Sequence, residues 1–267
     1  MPAREAFAVA VNCCNIAAMM TIQNMQVETA QHLGVLPRSR LEQMAEAGRT
    51  VKEMLRVLNK SSQNMVGQCL ANQGTFYELD HYPKGDVYDD QTHSQYYYHA
   101  HRPDSGEHGH FHTFLRAAGM PKGLKPVPYK GKAKRPEGKD ALTHFVAISM
   151  DRPGNPIGLF TTNRWVTDET FYAAEDVIAL LDHYEMDLTY PCLATNRALS
   201  AVMRLFRPQI EKLLIERDKT MKNWAAMKPG VDVYEDRDLE VTSIMDINID
   251  RQIAAVEKAL ADLRNVA

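Results

Sequence analysis

The chain has 267 residues, of which 45% are hydrophobic, and it carries a formal net charge of −3. This length and composition suffice for one large domain or two modest ones with a buried core. The small net charge excludes a strong overall attraction to nucleic acid or to an acidic membrane surface, so any such binding would have to be local.

The first part of the chain predicts helices. Residues 4–32 are interpreted as an amphipathic or buried helix rather than a signal peptide, because Glu5 and Asn12 interrupt the apolar run. No continuous apolar run there approaches the length that spans a membrane. Apolar side chains at helical spacing predict a second helix over residues 39–58, and a short helix is expected between residues 59 and 74.

Cysteine usage favours a reducing compartment. The four cysteines form no CxxC pair and no regular framework, so we expect them to be reduced and largely buried. They are Cys13, Cys14, Cys69 and Cys192. A cytoplasmic location is therefore expected.

Seven of the ten histidines lie between His81 and His112. Residues 81–90 are rich in Pro, Gly and Asp and predict a loop. Residues 92–101 and 108–114 then predict two antiparallel strands, joined by the polar, turn-rich residues 102–107.

Side chains on a strand alternate between two faces, which places the histidines of each predicted strand together. The first strand would present His93, Gln95, Tyr97, His99 and His101 on one face, and the second His108, His110 and His112. In the predicted register His101 opposes His110 and His99 opposes His112, so that four imidazoles converge. A slip of one residue would send one set to the opposite face.

Converging imidazoles predict a metal site, because neutral imidazole binds iron, copper and zinc well. The predicted ligands are His99, His101, His110 and His112. Three protein ligands with an open position would permit catalysis, whereas four closed ligands would favour a structural role. A histidine-rich, hydrogen-bonded core and a metal-free active site are the alternatives.

Other residues near the hairpin are candidates for supporting roles. Tyr97 shares the predicted face and could donate a hydrogen bond, while Glu107 could be a ligand, a general base or part of the turn. His93 is a further candidate ligand. Asp86 or His81 could orient a ligand imidazole.

After the histidine hairpin, residues 121–140 form a basic loop rich in Pro and Gly. Such a loop is either a solvated excursion or a lid that attracts an anionic substrate. Residues 142–150 and 157–162 predict a second hairpin around the turn DRPGNP. His144, in its first strand, could join the histidine cluster, and Arg164, after its second strand, could bind an anion or form a structural salt bridge.

The C-terminal part predicts mainly helices. Asp168 is expected to cap a helix over residues 169–184. A long helical region over residues 194–227 should kink or divide at Pro208. Weak alternation over residues 239–249 predicts a last strand, and Asp250 is expected to cap a terminal helix.

The order of these elements predicts an α+β fold in which N-terminal and C-terminal helices cover an antiparallel sheet. Residues 1–267 are expected to form one domain. It would comprise a helical part over 1–74, a sheet core with the histidine hairpin over 75–165, and a mainly helical part over 166–267.

Three resemblances rest on these motifs. HAH, at His99–His101, resembles the first metal motif of cupins, which implies a β-barrel often holding iron, zinc or manganese. HGHFHTF, from His108, resembles the motif of histidine-triad nucleotide hydrolases and transferases, which implies His110 as a nucleophile. GDVYD, THSQYYYHAHR, GHFHTF and FTTNRWVT together are similar to a bacterial protein family of unknown function.

The leading functional hypothesis is a mononuclear metalloenzyme that performs oxidative or hydrolytic chemistry on a small molecule, which could be anionic. A histidine-triad phosphoryl or nucleotidyl enzyme without metal and a metal sensor or storage protein are the alternatives. Nucleic acid and membrane are not expected partners, and a homo-oligomer is compatible with the sequence.

Overall fold

A computed structural model describes residues 33–101 and 106–266 of the chain. Within these residues the fold is α+β, as the sequence predicts. The helices are α1 (Arg38–Lys60), α2 (Met65–Leu70), α3 (Arg164–Thr167), α4 (Ala174–Leu180), α5 (Leu193–Leu205), α6 (Arg207–Met227) and α7 (Ile249–Val266). The strands are β1 (Tyr82–Tyr88), β2 (Ser94–His99), β3 (Gly109–Arg116), β4 (Leu142–Met150), β5 (Pro156–Thr162) and β6 (Val241–Asp246).

The six strands form one sheet in the order β1-β2-β3-β4-β5-β6, and each strand pairs antiparallel with the next. Consecutive strands are therefore neighbours throughout. Because β2, β3 and β4 lie side by side in the middle of this order, both hairpins predicted from the sequence contribute to one continuous surface.

One face of the sheet belongs to the main hydrophobic core. A row of opposed residues crosses five strands there, and every member is buried: Tyr98, Phe111, Ile148, Leu159 and Met245. Residues of helices from both ends of the chain belong to the same core. Burying this apolar surface is the main force that holds the helices on the sheet.

Helix α1 follows from the spacing of its apolar residues. Leu41, Met44, Val51 and Leu58 are buried on one side, as helical periodicity requires. The helix packs against α5 and α7. Gly48 permits the approach of α7, because a Cβ at this position would lie only 2.7 Å from Ile253 Cγ1.

The expected helix over residues 4–32, with Cys13 and Cys14, lies outside the described residues. Cys69 is a free, buried thiol and Cys192 is free and half-buried. The prediction of a loop over residues 81–90 is wrong, because most of this segment is strand β1. The pairing of β1 with β2 is irregular between Tyr82 and Val87, and the turn-forming residues lie in this irregular part. Asp86, one of them, has a φ of 62°.

Strand β2 is shorter than predicted, and the register of the histidine hairpin differs by two residues. His99, not His101, opposes His110, and Tyr97 opposes His112. A slip of two residues preserves the face. The predicted convergence of histidines therefore survives the error in register.

The prediction that Asp168 caps a helix over residues 169–184 is also wrong. Asp168 has a left-handed φ of 51° and ends the short helix α3, whose first residue is Arg164. Helix α4 begins later, at Ala174, whose N–H donates to Asp218 Oδ2 over 2.7 Å. The residues between α3 and α4 therefore belong to neither helix and can enter the interior.

The other C-terminal predictions agree with the structure, with one change. The long helical region divides at Phe206, and Pro208 occupies the first turn of α6, where its missing N–H costs no hydrogen bond. Strand β6 is present. Asn248 rather than Asp250 caps α7, since its Oδ1 accepts the N–H of Arg251 over 2.9 Å.

Candidate metal centre

Three of the four predicted ligands lie together at the end of the β2–β3 hairpin. His99 ends β2, His110 opposes it in β3, and His101 follows two residues after His99. One ring nitrogen from each of the three lies within 4.8 Å of those of the other two. The ring centroids are 4.6 Å apart for His99 and His101 and 5.3 Å apart for His101 and His110. This cluster of His99, His101 and His110, the triad, differs from the histidine-triad enzyme motif and could hold a metal ion.

The orientation of His110 is fixed by a carboxylate. His110 Nδ1 lies 2.9 Å from Glu107 Oε1, and both side chains are almost completely buried. A carboxylate accepts the proton of Nδ1, which leaves Nε2 as the basic nitrogen of the ring. This arrangement is the one in which an outer carboxylate sets the tautomer of a metal-binding histidine. The sequence analysis named Glu107 as a ligand, a general base or part of the turn; the contact with His110 that the structure shows was not among these roles.

His99 is held neutral by its surroundings. Burial, followed by the neighbouring His110 and His101, lowers the pKa of His99 to about 3. Its Nδ1 is buried and has no hydrogen-bond partner in the described part of the chain. A neutral imidazole with a buried lone pair and no donor opposite is suited to a cation.

His112, the fourth predicted ligand, forms a hydrogen bond with another histidine. Its Nδ1 lies 3.0 Å from Nε2 of His144. His112 is not part of the triad cluster, although its ring centroid is 4.8 Å from that of His110. Burial lowers the pKa of both His112 and His144, for His144 to about 3. The two rings are therefore a neutral pair, with one donating and the other accepting.

An irregularity in the strand pairing brings His144 to this position. The register between β3 and β4 shifts between His112 and Phe114, so that Phe114 opposes His144. His144 thereby joins the histidine face without entering the triad. The sequence prediction that His144 could join the cluster is met in this limited sense.

Tyr97 and His81 pack beside the triad. Tyr97 is buried on the same face, and the His81 ring stacks on it at 3.6 Å between centroids and 8° between planes. Burial raises the pKa of Tyr97. His81 Nδ1 lies 3.2 Å from Asp86 Oδ1, so the carboxylate of Asp86 orients His81 and not a triad imidazole.

Glu169 is a buried carboxyl group that the sequence reasoning did not identify. It is 0% exposed, and its Oε2 accepts the backbone N–H of His144 over 2.7 Å. Burial raises its pKa to about 7, although Arg217 opposes this shift. The sequence Asp168-Glu169 is typical of a helix N-terminus, and nothing in it indicates burial.

The remaining candidates do not reach the triad. Arg164 is buried and forms ion pairs with Glu235 at 2.6 Å and Asp168 at 2.9 Å, which is the structural salt bridge that the sequence left open. His93 has a φ of 62°, and its Nδ1 forms a hydrogen bond with the hydroxyl of Tyr88. Its place before β2 breaks the predicted alternation.

His108 also leaves the predicted face. Its Nδ1 lies 2.5 Å from the hydroxyl of Tyr98, and the two rings stack 6.1 Å apart. Tyr98 belongs to the hydrophobic core on the other face of the sheet. His108 and His110 therefore have different surroundings, which does not favour the histidine-triad enzyme motif as a working unit.

The basic loop is attached to the segment that precedes α4. The N–H of Val127 donates to the carbonyl of Phe171 over 2.9 Å, and the Thr170 hydroxyl donates to the carbonyl of Pro136 over 2.6 Å. Arg135 stacks on Tyr129, with 3.3 Å between the guanidinium carbon and the ring centroid. The two hydrogen bonds hold the loop against the segment between α3 and α4.

Residues 45–247, more than half of the chain, match the family model described as a domain of unknown function, DUF6969. The chain belongs to this DUF6969 family. No curated protein and no solved structure matches this chain. The family match shows no link to cupins or to histidine-triad enzymes, and it covers the whole hairpin that carries the triad.

Within residues 33–101 and 106–266 of this DUF6969 member, no helix is both long enough and apolar enough to cross a bilayer.

Proposed function

We propose that this protein is a metalloenzyme that holds one transition-metal ion through His99, His101 and His110. The single observation that supports this most directly is the cluster of three ring nitrogens within 4.8 Å at the hairpin end. Three imidazole nitrogens this close together can each donate a lone pair to one shared cation. His101 is only partly buried, so rotation of its ring can draw the nitrogens closer.

The donor set restricts the choice of metal to iron, copper or zinc. Imidazole suits all three ions, while calcium and magnesium prefer oxygen ligands. Copper has the highest affinity in the general order for divalent ions, although availability in the cell also decides occupancy. The three imidazoles carry no charge as ligands, so only the outer carboxylate of Glu107 compensates the charge of the ion, and the remaining positive charge favours an anionic substrate group beside it.

The number of ligands favours catalysis over a purely structural site. Structural zinc sites have four protein ligands, whereas catalytic sites have three and an open position. A bound ion would supply a Lewis acid for oxidative or hydrolytic chemistry on a small molecule. Glu107 would hold His110 in the ligating tautomer, and Tyr97 would pack against the ligands and limit the access of water.

The proposal is tested by elemental analysis of protein purified without an affinity tag. The expected result is about one iron, copper or zinc ion per chain in the native protein. His99→Gln and His110→Gln should lose the ion, while His183→Gln, which replaces an exposed histidine on the surface, should retain it. Native protein without stoichiometric metal, or full retention in both triad variants, would overturn the proposal.

A further inference from the structure

A cleft of about 360 Å³ opens directly beside the triad. His101 and Glu107 form one of its walls, and Phe76, His108 and Arg152 form others. The same cleft thus contacts one proposed ligand and the carboxylate that holds another. Its volume is near the lower end of the roughly 300–1,000 Å³ typical of small-molecule sites and suits a molecule with a single ring.

The apolar wall of the cleft is an exposed aromatic ring that is held in place. Phe76 is 40% exposed, yet it stacks on the buried ring of Tyr82 at 5.2 Å with planes 24° apart. The ring of His108 lies 6.3 Å away on the cleft side. A supported aromatic face open to solvent offers a planar ligand a stacking surface at little cost in side-chain entropy.

The polar wall carries an arginine with unused donors. Arg152 lies in the β4–β5 turn, and no carboxylate in the described residues is within ion-pair distance of it. The turn is stiffened by Asp151, whose Oδ1 accepts the N–H of Asn155 over 2.6 Å. Glu78 also lines the cleft and is exposed. It would repel an anion, so an anionic group should bind on the Arg152 side.

We infer that this cleft is the substrate subsite of the metal centre and that it takes a small aromatic carboxylate. The ring would stack on Phe76 and the carboxylate would be bound by the guanidinium fork of Arg152, which matches carboxylate geometry. This inference rests on the proposed function, because the cleft is a substrate subsite only if the triad beside it binds the metal. The positive charge that the Glu107 carboxylate leaves uncompensated on a divalent metal would favour the same anionic ligand.

Benzoate is the probe that tests this inference, with the neutral benzyl alcohol as a matched ligand. Binding to zinc-loaded protein is measured by calorimetry for wild type, Arg152→Gln, Phe76→Ala and the control Arg251→Gln, which removes an exposed arginine of α7. We expect Arg152→Gln to weaken benzoate binding about tenfold, as for loss of a charge-assisted hydrogen bond. Phe76→Ala should weaken it about fivefold, and the control should not change it.

The outcomes separate the inference from the metal proposal, since metal content is measured on the same samples. Equal benzoate affinity in Arg152→Gln and wild type, or equal affinity for benzyl alcohol and benzoate, would overturn the subsite even if the metal is present. Arg152-dependent benzoate binding by protein that takes up no metal would support the subsite and overturn the metal site. Unchanged circular dichroism and melting temperature in each variant establish that the fold is intact.

Discussion

Replacement of Glu107 by glutamine is the most informative change to the surroundings of the triad. The hydrogen bond between His110 Nδ1 and Glu107 Oε1 measures 2.9 Å, and the side chains are 1% and 4% exposed. Glutamine keeps an acceptor oxygen but removes the negative charge. The imidazole then becomes less basic and less firmly oriented, both of which weaken metal binding.

The magnitude follows from the burial of this pair. A charge-assisted hydrogen bond of this kind contributes on the order of 1.5–3 kcal/mol, and about 1.4 kcal/mol corresponds to a tenfold change in affinity. We therefore expect Glu107→Gln to reduce zinc affinity by about 10-fold to 100-fold, the range known for outer-shell partners of metal ligands. Competition with a chromophoric chelator at constant pH gives the dissociation constants.

Glu78→Gln is the matched control, because Glu78 lines the same cleft but is exposed and has no hydrogen bond to the triad among the described residues. Removing a screened surface charge should change zinc affinity by less than about twofold. Equal losses in the two variants would show that only the net charge matters. No loss in Glu107→Gln would refute the role assigned to the Glu107–His110 bond.

Three further changes test other parts of the structure. Burial raises the pKa of Glu169 from 4.5 to about 7, so its favourable contribution is complete below pH 4.5 and is lost as the pH rises to about 7. The difference in unfolding free energy between wild type and Glu169→Gln should therefore change by up to about 3 kcal/mol over this range in urea titrations, and a constant difference would contradict the shift. His112→Gln should retain the metal that His110→Gln loses, as measured by metal content; loss in both would make His112 a fourth ligand. Phe111→Ala should destabilise the fold by about 3–5 kcal/mol, while Ile215→Ala at an exposed site should change stability by less than about 0.5 kcal/mol; equal effects in thermal melts would be inconsistent with the described core.

The location of the histidine cluster could be predicted because it depends on a simple rule. Alternation along β2 and β3 places His99, His110 and His112 on one face whatever the register, provided that the slip is even. The pairing itself could not be predicted, since it depends on the path of the chain through residues 102–107. His101 consequently reaches the triad from beyond the end of β2 and not from within the strand.

The supporting residues were harder to predict, because their roles come from tertiary contacts. Gly85 and Asp86 have turn chemistry, and in the structure this chemistry serves an irregular strand rather than a loop. Glu169 follows Asp168 as in a helix N-terminus, yet the backbone turns inward and buries its carboxyl group. In both cases tertiary contacts override the local preference, so the backbone differs from the prediction and the surroundings of the side chain could not be read from the sequence.

The partner of the charged Arg164 side chain could not be predicted from the sequence either. From the sequence, a planar cation after a strand suits an anion site or a salt bridge equally well. In the structure two carboxylates occupy its donors, and the arginine that lines the cleft is Arg152, in a turn that the sequence marked only as a turn.

X-ray absorption at the edge of the metal bound to the native protein shows whether His99, His101 and His110 are its ligands. If they are, the first shell contains about three imidazole nitrogens, at about 2.0–2.1 Å if the ion is zinc, and the spectrum shows multiple scattering from intact histidine rings. His99→Gln should remove this signal. A first shell of sulfur at about 2.3 Å, or of oxygen alone, would place the metal elsewhere and contradict the assignment of the triad.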